Sequence, residues 1–238
     1  MTRMLFRDDP YRGQAPAHVS GHTPEGGIVL DATLFYPTGG GQPGDSGRLT
    51  WAGGEVEIAT AVKADDAIAL VPAEPVTLPP VGAEVMQQLD WDRRYAHMRM
   101  HTALHLLSAV MALPVTGGSV GAGRGRLDFD MEEPPADKEA LETRLNAFVD
   151  LDLAVSEDWI DEAELDANPG LVKTLSVRPP RGAGRIRLIR IGEDTRQVDL
   201  QPCGGTHVAR TAEIGHLRIA KIEKKGRRNR RVTLRLDD

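Results

Sequence analysis

Up to residue 90, apolar and polar positions follow short alternating runs broken by Gly and Pro. PAHVSGH and IVLDATLFYP predict extended segments flanking a turn at Thr23-Pro24-Glu25-Gly26-Gly27, and RLTWAG and EVEIATAV predict two more joined around Gly53-Gly54. Prolines 72, 75, 79 and 80 exclude a helix between them. The pattern changes at Trp91. From there to Leu113 the chain has no Gly or Pro and is rich in Met, Leu, Ala and Arg, which predicts a helix that stops at Pro114, with Asp92 as its N-cap. A second helix is expected over 136–149, where Leu141, Leu145, Phe148 and Val149 recur at core-facing spacing. A strand is expected around Leu127 to Phe129, and the acidic stretch Glu157 to Asp166 suggests a solvated helix face. RIRLIRI, QVDLQ, HLRIAKIE and RRVTLRL then read as strands of a second sheet. The expected fold class is α+β: a small N-terminal β-barrel-like or sandwich domain over residues 1–90, then an α+β domain over 91–238 with helices packed on an antiparallel sheet.

Composition narrows the functional classes. With 238 residues, 40% hydrophobic and 27% charged, the chain has the make-up of an ordinary globular protein, so disorder is not indicated. The N-terminal MTRMLFRDDP has no apolar leader, and no apolar run approaches the roughly 18 residues of a membrane span. A cytoplasmic protein without a membrane partner is expected, and no obligate protein partner is evident. The single cysteine, Cys203, excludes an intrachain disulfide and leaves a thiol for chemistry or a metal. A net charge of −6 means that a nucleic acid would have to be held by local basic patches. Lys221, Lys224, Lys225, Arg227, Arg228, Arg230, Arg231 and Arg235 crowd one predicted hairpin against the single acid Glu223, and Arg178, Arg181, Arg185, Arg187 and Arg190 form a second run. Either run is a solvated face or a phosphate contact.

The residues that carry chemistry are few. His97, His101 and His105 lie four apart on the predicted helix, so any adjacent pair can turn two imidazoles toward one point. All three cannot reach one ion, because eight residues of helix rise about 12 Å and Zn–N bonds are about 2 Å. Spacing does not choose between the pairs. HTALH also lacks the Glu of the HExxH metalloprotease motif. Far downstream, CGGTH offers Cys203 and His207 from a turn after a strand, since Pro202 and Gly204-Gly205 disfavour a helix. A thiolate and imidazoles are ligands that suit Zn²⁺. TGGGQPGDSG, Thr38 to Gly47, holds five glycines and Asp45; it lacks the Lys-Ser/Thr of a P-loop, so it is a turn needing positive φ or close approach, or the wall of a pocket.

HTALHLL and CGGTHV, with LDATLFYPTGGGQPGDSG, RLDFD and TAEIGHLRIAKIEKKGRRNRR, resemble the editing domain of alanyl-tRNA synthetases. The chain is more closely similar to the freestanding AlaX alanyl-tRNA editing proteins, in the longer form with the glycine-rich N-terminal domain. The resemblance covers nearly the whole chain in family order. It implies a hydrolase acting in trans on tRNA(Ala) mischarged with serine or glycine, where an alanine pocket discriminates too weakly and a second site completes the selection. It further implies Zn²⁺ held by His101, His105, Cys203 and His207, with His97 as a neighbour. Thr116 falls where the family places a polar reader of the substrate hydroxyl, and Gly39, Gly40, Gly41 and Asp45 match the motif implicated in substrate selection. Gly204 and Gly205 could offer amides to a developing oxyanion. For tRNA binding, Lys224, Lys225, Arg227, Arg228, Arg230 and Arg231 are the expected contacts. The alternatives are a zinc hydrolase of another ester or amide, and a non-catalytic RNA-binding module that zinc only braces.

Overall fold

A computed structural model describes residues 2–174 and 184–237; Arg178 and Arg181 of the second basic run lie outside the described residues. The fold class is α+β, and the chain divides into two compact units, Met1–Tyr95 and Ala96–Asp238.

In the first unit, β1 (Arg3–Met4) leads into the single-turn helix α1 (Leu5–Asp8). There follow β2 (Gln14–His22), β3 (Ile28–Leu30), β4 (Ala32–Thr33), β5 (Gly47–Trp51), β6 (Gly54–Ala64), β7 (Ala67–Pro72) and β8 (Glu84–Leu89). Six of these close into a barrel in the order β2-β3-β7-β6-β5-β8, while β1 pairs with β4. Of the two sequence alternatives, the barrel is the one formed. Alternation does the work: Ala15, Ala17 and Val19 of β2 and Val85 and Leu89 of β8 are buried, and the residues that alternate with them between Gln14 and His18 and between Glu84 and Gln88 are exposed. Gln87 also points inward, and its amide is satisfied by Thr33 Oγ1, the Leu34 amide and the Ala32 carbonyl.

The glycine-rich loop folds back on itself. Gly39 and Gln42 exchange backbone hydrogen bonds around Gly40 and Gly41, whose φ values of 57° and 82° are the left-handed pair of a type I′ turn. Gly44 is required by close approach, since a Cβ there would lie 2.2 Å from the Ala61 carbonyl oxygen. Asp45 is 1% exposed and Arg94 is fully buried. Their ion pair is joined by the Tyr36 amide, which donates to Asp45 Oδ2 at 2.6 Å, and by Arg94 donating to the Leu34 and Pro10 carbonyls.

Helix α2 (Trp91–Met111) spans the division between the units. Its N-terminus is capped by Asp90, whose carboxylate accepts from the Arg93 amide at 3.2 Å, and Asp92 sits one position inside the first turn. The sequence expectation of Asp92 is corrected by two residues to Asp90, since a capping side chain must precede the first helical residue. The helix ends with Ala112 in the left-handed region at φ 51°, just before Pro114.

The second unit continues with β9 (Val115–Ser119), β10 (Arg124–Asp130), α3 (Lys138–Asp150), β11 (Val155–Asp161), α4 (Glu162–Ala167), β12 (Arg185–Ile191), β13 (Asp199–Pro202), β14 (Leu217–Gly226) and β15 (Asn229–Leu236). These strands make two sheets, β14-β15-β10-β9 and β11-β12-β13, where the sequence suggested one. α2 lies against β10, and Gly125 provides the room: a Cβ there would stand 2.7 Å from Met100 Cγ. α3, capped by Asp137 on the Ala140 amide, secures edge strand β14 through Asn146 to Leu217 and Glu142 to the Ile219 amide.

The acidic stretch is only half helical. Its first part is edge strand β11, and the expectation of a continuous helix face is corrected. The reason is cross-strand charge pairing with basic β12: Glu157 bonds Arg187 at 2.5 Å, and Asp158 bonds Arg190 at 2.8 Å. Among the described residues, no helix is long and apolar enough to cross a membrane.

Candidate metal centre

Helix α2 and the turn after β13 bring His101, His105, Cys203 and His207 together, with potential ligand atoms all within 4.8 Å of one another. His97 is buried on the same helix and is not part of that group. Cys203 Sγ lies 3.4 Å from His101 Nε2 and 3.3 Å from His207 Nε2. Two donors on a tetrahedral zinc, with bonds of about 2.05 and 2.3 Å, are about 3.6 Å apart. The spacing therefore suits one shared ion.

Outer partners fix which nitrogen His207 and His105 present. Thr102 Oγ1 donates to the Met98 carbonyl, so toward His207 Nδ1, 3.2 Å away, it acts as acceptor; the Nδ1–H is directed there and Nε2 faces the thiol. His105 Nδ1 is 2.8 Å from Asp199 Oδ2, which leaves its Nε2 for the centre. Asp199 is buried and also accepts from Gln201 Nε2 at 2.7 Å and from Lys173 Nζ. Burial would raise its pKa, but His105 and Lys173 outweigh that and bring it down to about 2.

The charge states of Cys203 and His207 suit metal binding. Burial resists ionisation of Cys203, but the charges and hydrogen bonds of the surrounding histidines bring its pKa well below the usual thiol value. His207 is pushed down to about 3 by burial and by the His101 charge, so it stands as a neutral ligand. Burial also pulls His105 down, yet its hydrogen bonds to Asp199 and Cys203 prevail and raise it to about 9. A metal held there would have to displace that proton.

The turn is braced from below. Buried Arg187 donates to the Cys203 carbonyl at 3.0 Å and the Gly205 carbonyl at 2.8 Å. The Gly205 amide approaches Cys203 Sγ at 3.5 Å, so it serves the thiolate and is not turned toward an oxyanion. Gly204 is exposed, and a Cβ there would meet no atom within 4 Å. Because the Cys203 carbonyl is held by Arg187, the trans peptide turns the Gly204 N–H the opposite way.

The other sequence candidates are distributed as follows. Thr116 is the extra residue of a β-bulge between β9 and β10; its hydroxyl donates to the Asp128 carbonyl at 3.1 Å and accepts from Asn229 Nδ2 at 3.2 Å. Gly39, Gly40 and Gly41 form the tight turn of the barrel unit, and the Asp45 carboxylate is engaged by Arg94 and Tyr36. In the basic hairpin, the picture of many cations facing one acid is corrected, because β10 and the residues after it supply Asp128, Asp130 and Glu132. Arg231 pairs with Asp128, Arg228 with Asp130 and Glu132, and Lys221 and Lys225 with Glu223. Arg230 is 5% exposed and caps the turn by donating to the Gly226, Asn229 and Glu132 carbonyls. Lys224, Lys225, Arg227 and Arg228 are the exposed cations at its tip.

Fold and centre together describe a β-barrel unit and an α+β unit bearing a three-histidine, one-cysteine cluster, and comparison with known proteins relates both to tRNA synthetases. A family model described as "tRNA synthetases class II (A)" matches residues 11–93, and one described as "Threonyl and Alanyl tRNA synthetase second additional domain" matches residues 186–233. The alanine–tRNA ligase of Pyrobaculum neutrophilum is 36% identical over 94% of this chain, which spans about a quarter of that ligase's length. The alanyl-tRNA editing proteins AlaX-M of Methanosarcina acetivorans and Methanosarcina barkeri are 32% and 33% identical, each over 100% of both chains. The chain belongs to the AlaX-M family of alanyl-tRNA editing proteins.

Proposed function

We propose that this protein is a cytoplasmic aminoacyl-tRNA deacylase that removes serine, and also glycine, from mischarged tRNA(Ala) in trans, using Zn²⁺ held by His101, His105, Cys203 and His207. The observation that carries the reading is the cluster itself, three buried histidines and the half-buried Cys203, with the His105 and His207 tautomers set by Asp199 and Thr102, in a chain collinear with AlaX-M proteins. Residues 91–238 supply the hydrolytic site. Residues 1–90, through Gly39, Gly40 and Gly41 in a turn anchored by Asp45, contribute to substrate selection.

Zinc, when bound, supplies Lewis acidity for the ester carbonyl or its attacking water. The chain's own groups orient the substrate. The Thr116 hydroxyl reads the serine hydroxyl by exchanging its hydrogen bond to the Asp128 carbonyl for one to the substrate, a partner that alanine does not offer. The Gly204 N–H receives the developing oxyanion. Lys224, Lys225, Arg227 and Arg228 contact tRNA phosphates, while Arg230 and Arg231 shape the hairpin that presents them. Charge reversal at Lys224 and Arg227 is expected to weaken tRNA binding and to reduce its salt slope by about 2, one for each phosphate no longer neutralised. Unchanged affinity and slope in a salt titration would remove the hairpin from the interface.

A second reading has one observation in its favour: the group offers four protein donors, the number that fills a structural zinc site. The protein would then be a zinc-braced RNA-binding module. A deacylation assay on Ser-, Gly- and Ala-tRNA(Ala) separates the two. Selective loss of serine and glycine supports the deacylase, equal hydrolysis of all three removes the proofreading role, and tRNA binding without hydrolysis favours the brace.

A further inference from the structure

The sheet β11-β12-β13 carries the metal-binding cysteine at one end of a cross-strand row. Trp159 of β11 is paired with Arg187 of β12. Continuing the β12–β13 register one step past Leu188↔Pro202 sets Arg187 opposite Cys203, whose amide donates to the Arg187 carbonyl at 3.2 Å. Residues opposite one another in antiparallel strands project from the same face. Trp159, Arg187 and Cys203 therefore line one face, and with strands about 4.8 Å apart the Trp159 backbone stands about 10 Å from that of Cys203. The opposite face is the apolar one, with Ile160, Ile186 and Leu188 packed together with Leu165 of α4.

Trp159 is a conspicuous occupant of that row. It is 36% exposed, on an edge strand, and the Arg185 guanidinium lies 5.9 Å above its ring. Arg185 also donates to the Trp159 carbonyl, which holds the cation beside the ring. An accessible indole flanked by arginine is what single-stranded nucleic acid uses as a stacking platform, and here it shares a face with the candidate hydrolytic centre.

We infer that Trp159, flanked by Arg185, stacks the terminal adenine base of the aminoacylated tRNA while the ester on that nucleoside reaches the cluster at Cys203. The inference rests on the deacylase reading for the identity of the RNA. Every aminoacyl-tRNA carries its amino acid on the ribose of a 3′-terminal adenosine, so base and ester are separated by one sugar. A stacking surface set back from the metal ligands by two strand spacings is compatible with that separation.

The test is a binding cycle that does not depend on catalysis, using uncharged tRNA(Ala) with its 3′-terminal adenosine intact or removed. Trp159→Ala is expected to weaken binding of the intact tRNA by about tenfold and to leave the truncated tRNA unaffected, with Trp159→Phe retaining most of the affinity. On Ser-tRNA(Ala), the same Ala variant raises KM with little change in kcat. Equal effects on intact and truncated tRNA, or none on either, overturn the stacking site. If the cycle shows coupling but wild-type protein deacylates nothing, the platform stands and the deacylase reading falls; if deacylation proceeds without coupling, the reverse holds. A wild-type protein that binds neither tRNA overturns both.

Discussion

Replacing Cys203 with alanine is expected to reduce deacylation of Ser-tRNA(Ala) by more than a hundredfold and to abolish zinc-dependent stabilisation. The thiolate is the one soft ligand of the group, and its sulfur lies 3.3–3.4 Å from two of the imidazole nitrogens. Outer-shell changes already cost about 10–100-fold in metal affinity or activity, so loss of a direct ligand should exceed that range. A ligand that binds only the folded state at 1,000 times its Kd adds about 4 kcal/mol of stability. Wild-type protein should therefore melt at a higher temperature with zinc than without, and the Cys203→Ala curve should not move. A variant that melts with the same zinc-induced shift as wild type would show that the ion is held elsewhere.

Arg94→Met should carry the largest stability penalty. The guanidinium is fully buried and bonds Asp45, the Leu34 carbonyl and the Pro10 carbonyl, so its removal leaves a buried carboxylate without its counter-charge. Breaking such a pair costs about 3–5 kcal/mol. For a chain of this size that corresponds to a fall in Tm of roughly 10 °C. Asp45→Asn added to Arg94→Met should recover part of the loss, because a neutral amide can still accept from the Tyr36 amide. Additive losses in thermal or urea melts would mean that the two side chains are not coupled. Since Asp45 also closes the loop containing Gly39–Gln42, both variants report on how that loop is anchored.

Much of the fold was legible because it is local. Gly and Pro punctuation marked the barrel strands, a Gly- and Pro-free run marked α2, and four-residue spacing put His101 and His105 on one face. What escaped sequence reasoning depends on pairing across strands. The basic run around Arg187 read as a solvated face or a phosphate contact, yet Arg187 is buried beneath the Cys203 turn, because its strand lies between acidic β11 and β13. Arg230 likewise turned inward as a hairpin cap. Asp199 and Gln201 were missed although a signal was present: in DLQPC they alternate with Leu200 and Pro202 and so share the face of Cys203. Thr102 lay inside HTALH itself, but only the fold of the distant CGGTH turn gives its hydroxyl a histidine to orient.

Zinc-dependent, serine-selective deacylation is tested most directly by following hydrolysis of Ser-tRNA(Ala) and Ala-tRNA(Ala) with protein stripped of metal and with the same protein restored with one equivalent of zinc. Stripped protein is expected to leave both esters intact, and restored protein to hydrolyse Ser-tRNA(Ala) while sparing Ala-tRNA(Ala). Full activity in the stripped protein would refute the role of zinc, and restoration of activity on both substrates alike would refute the selectivity.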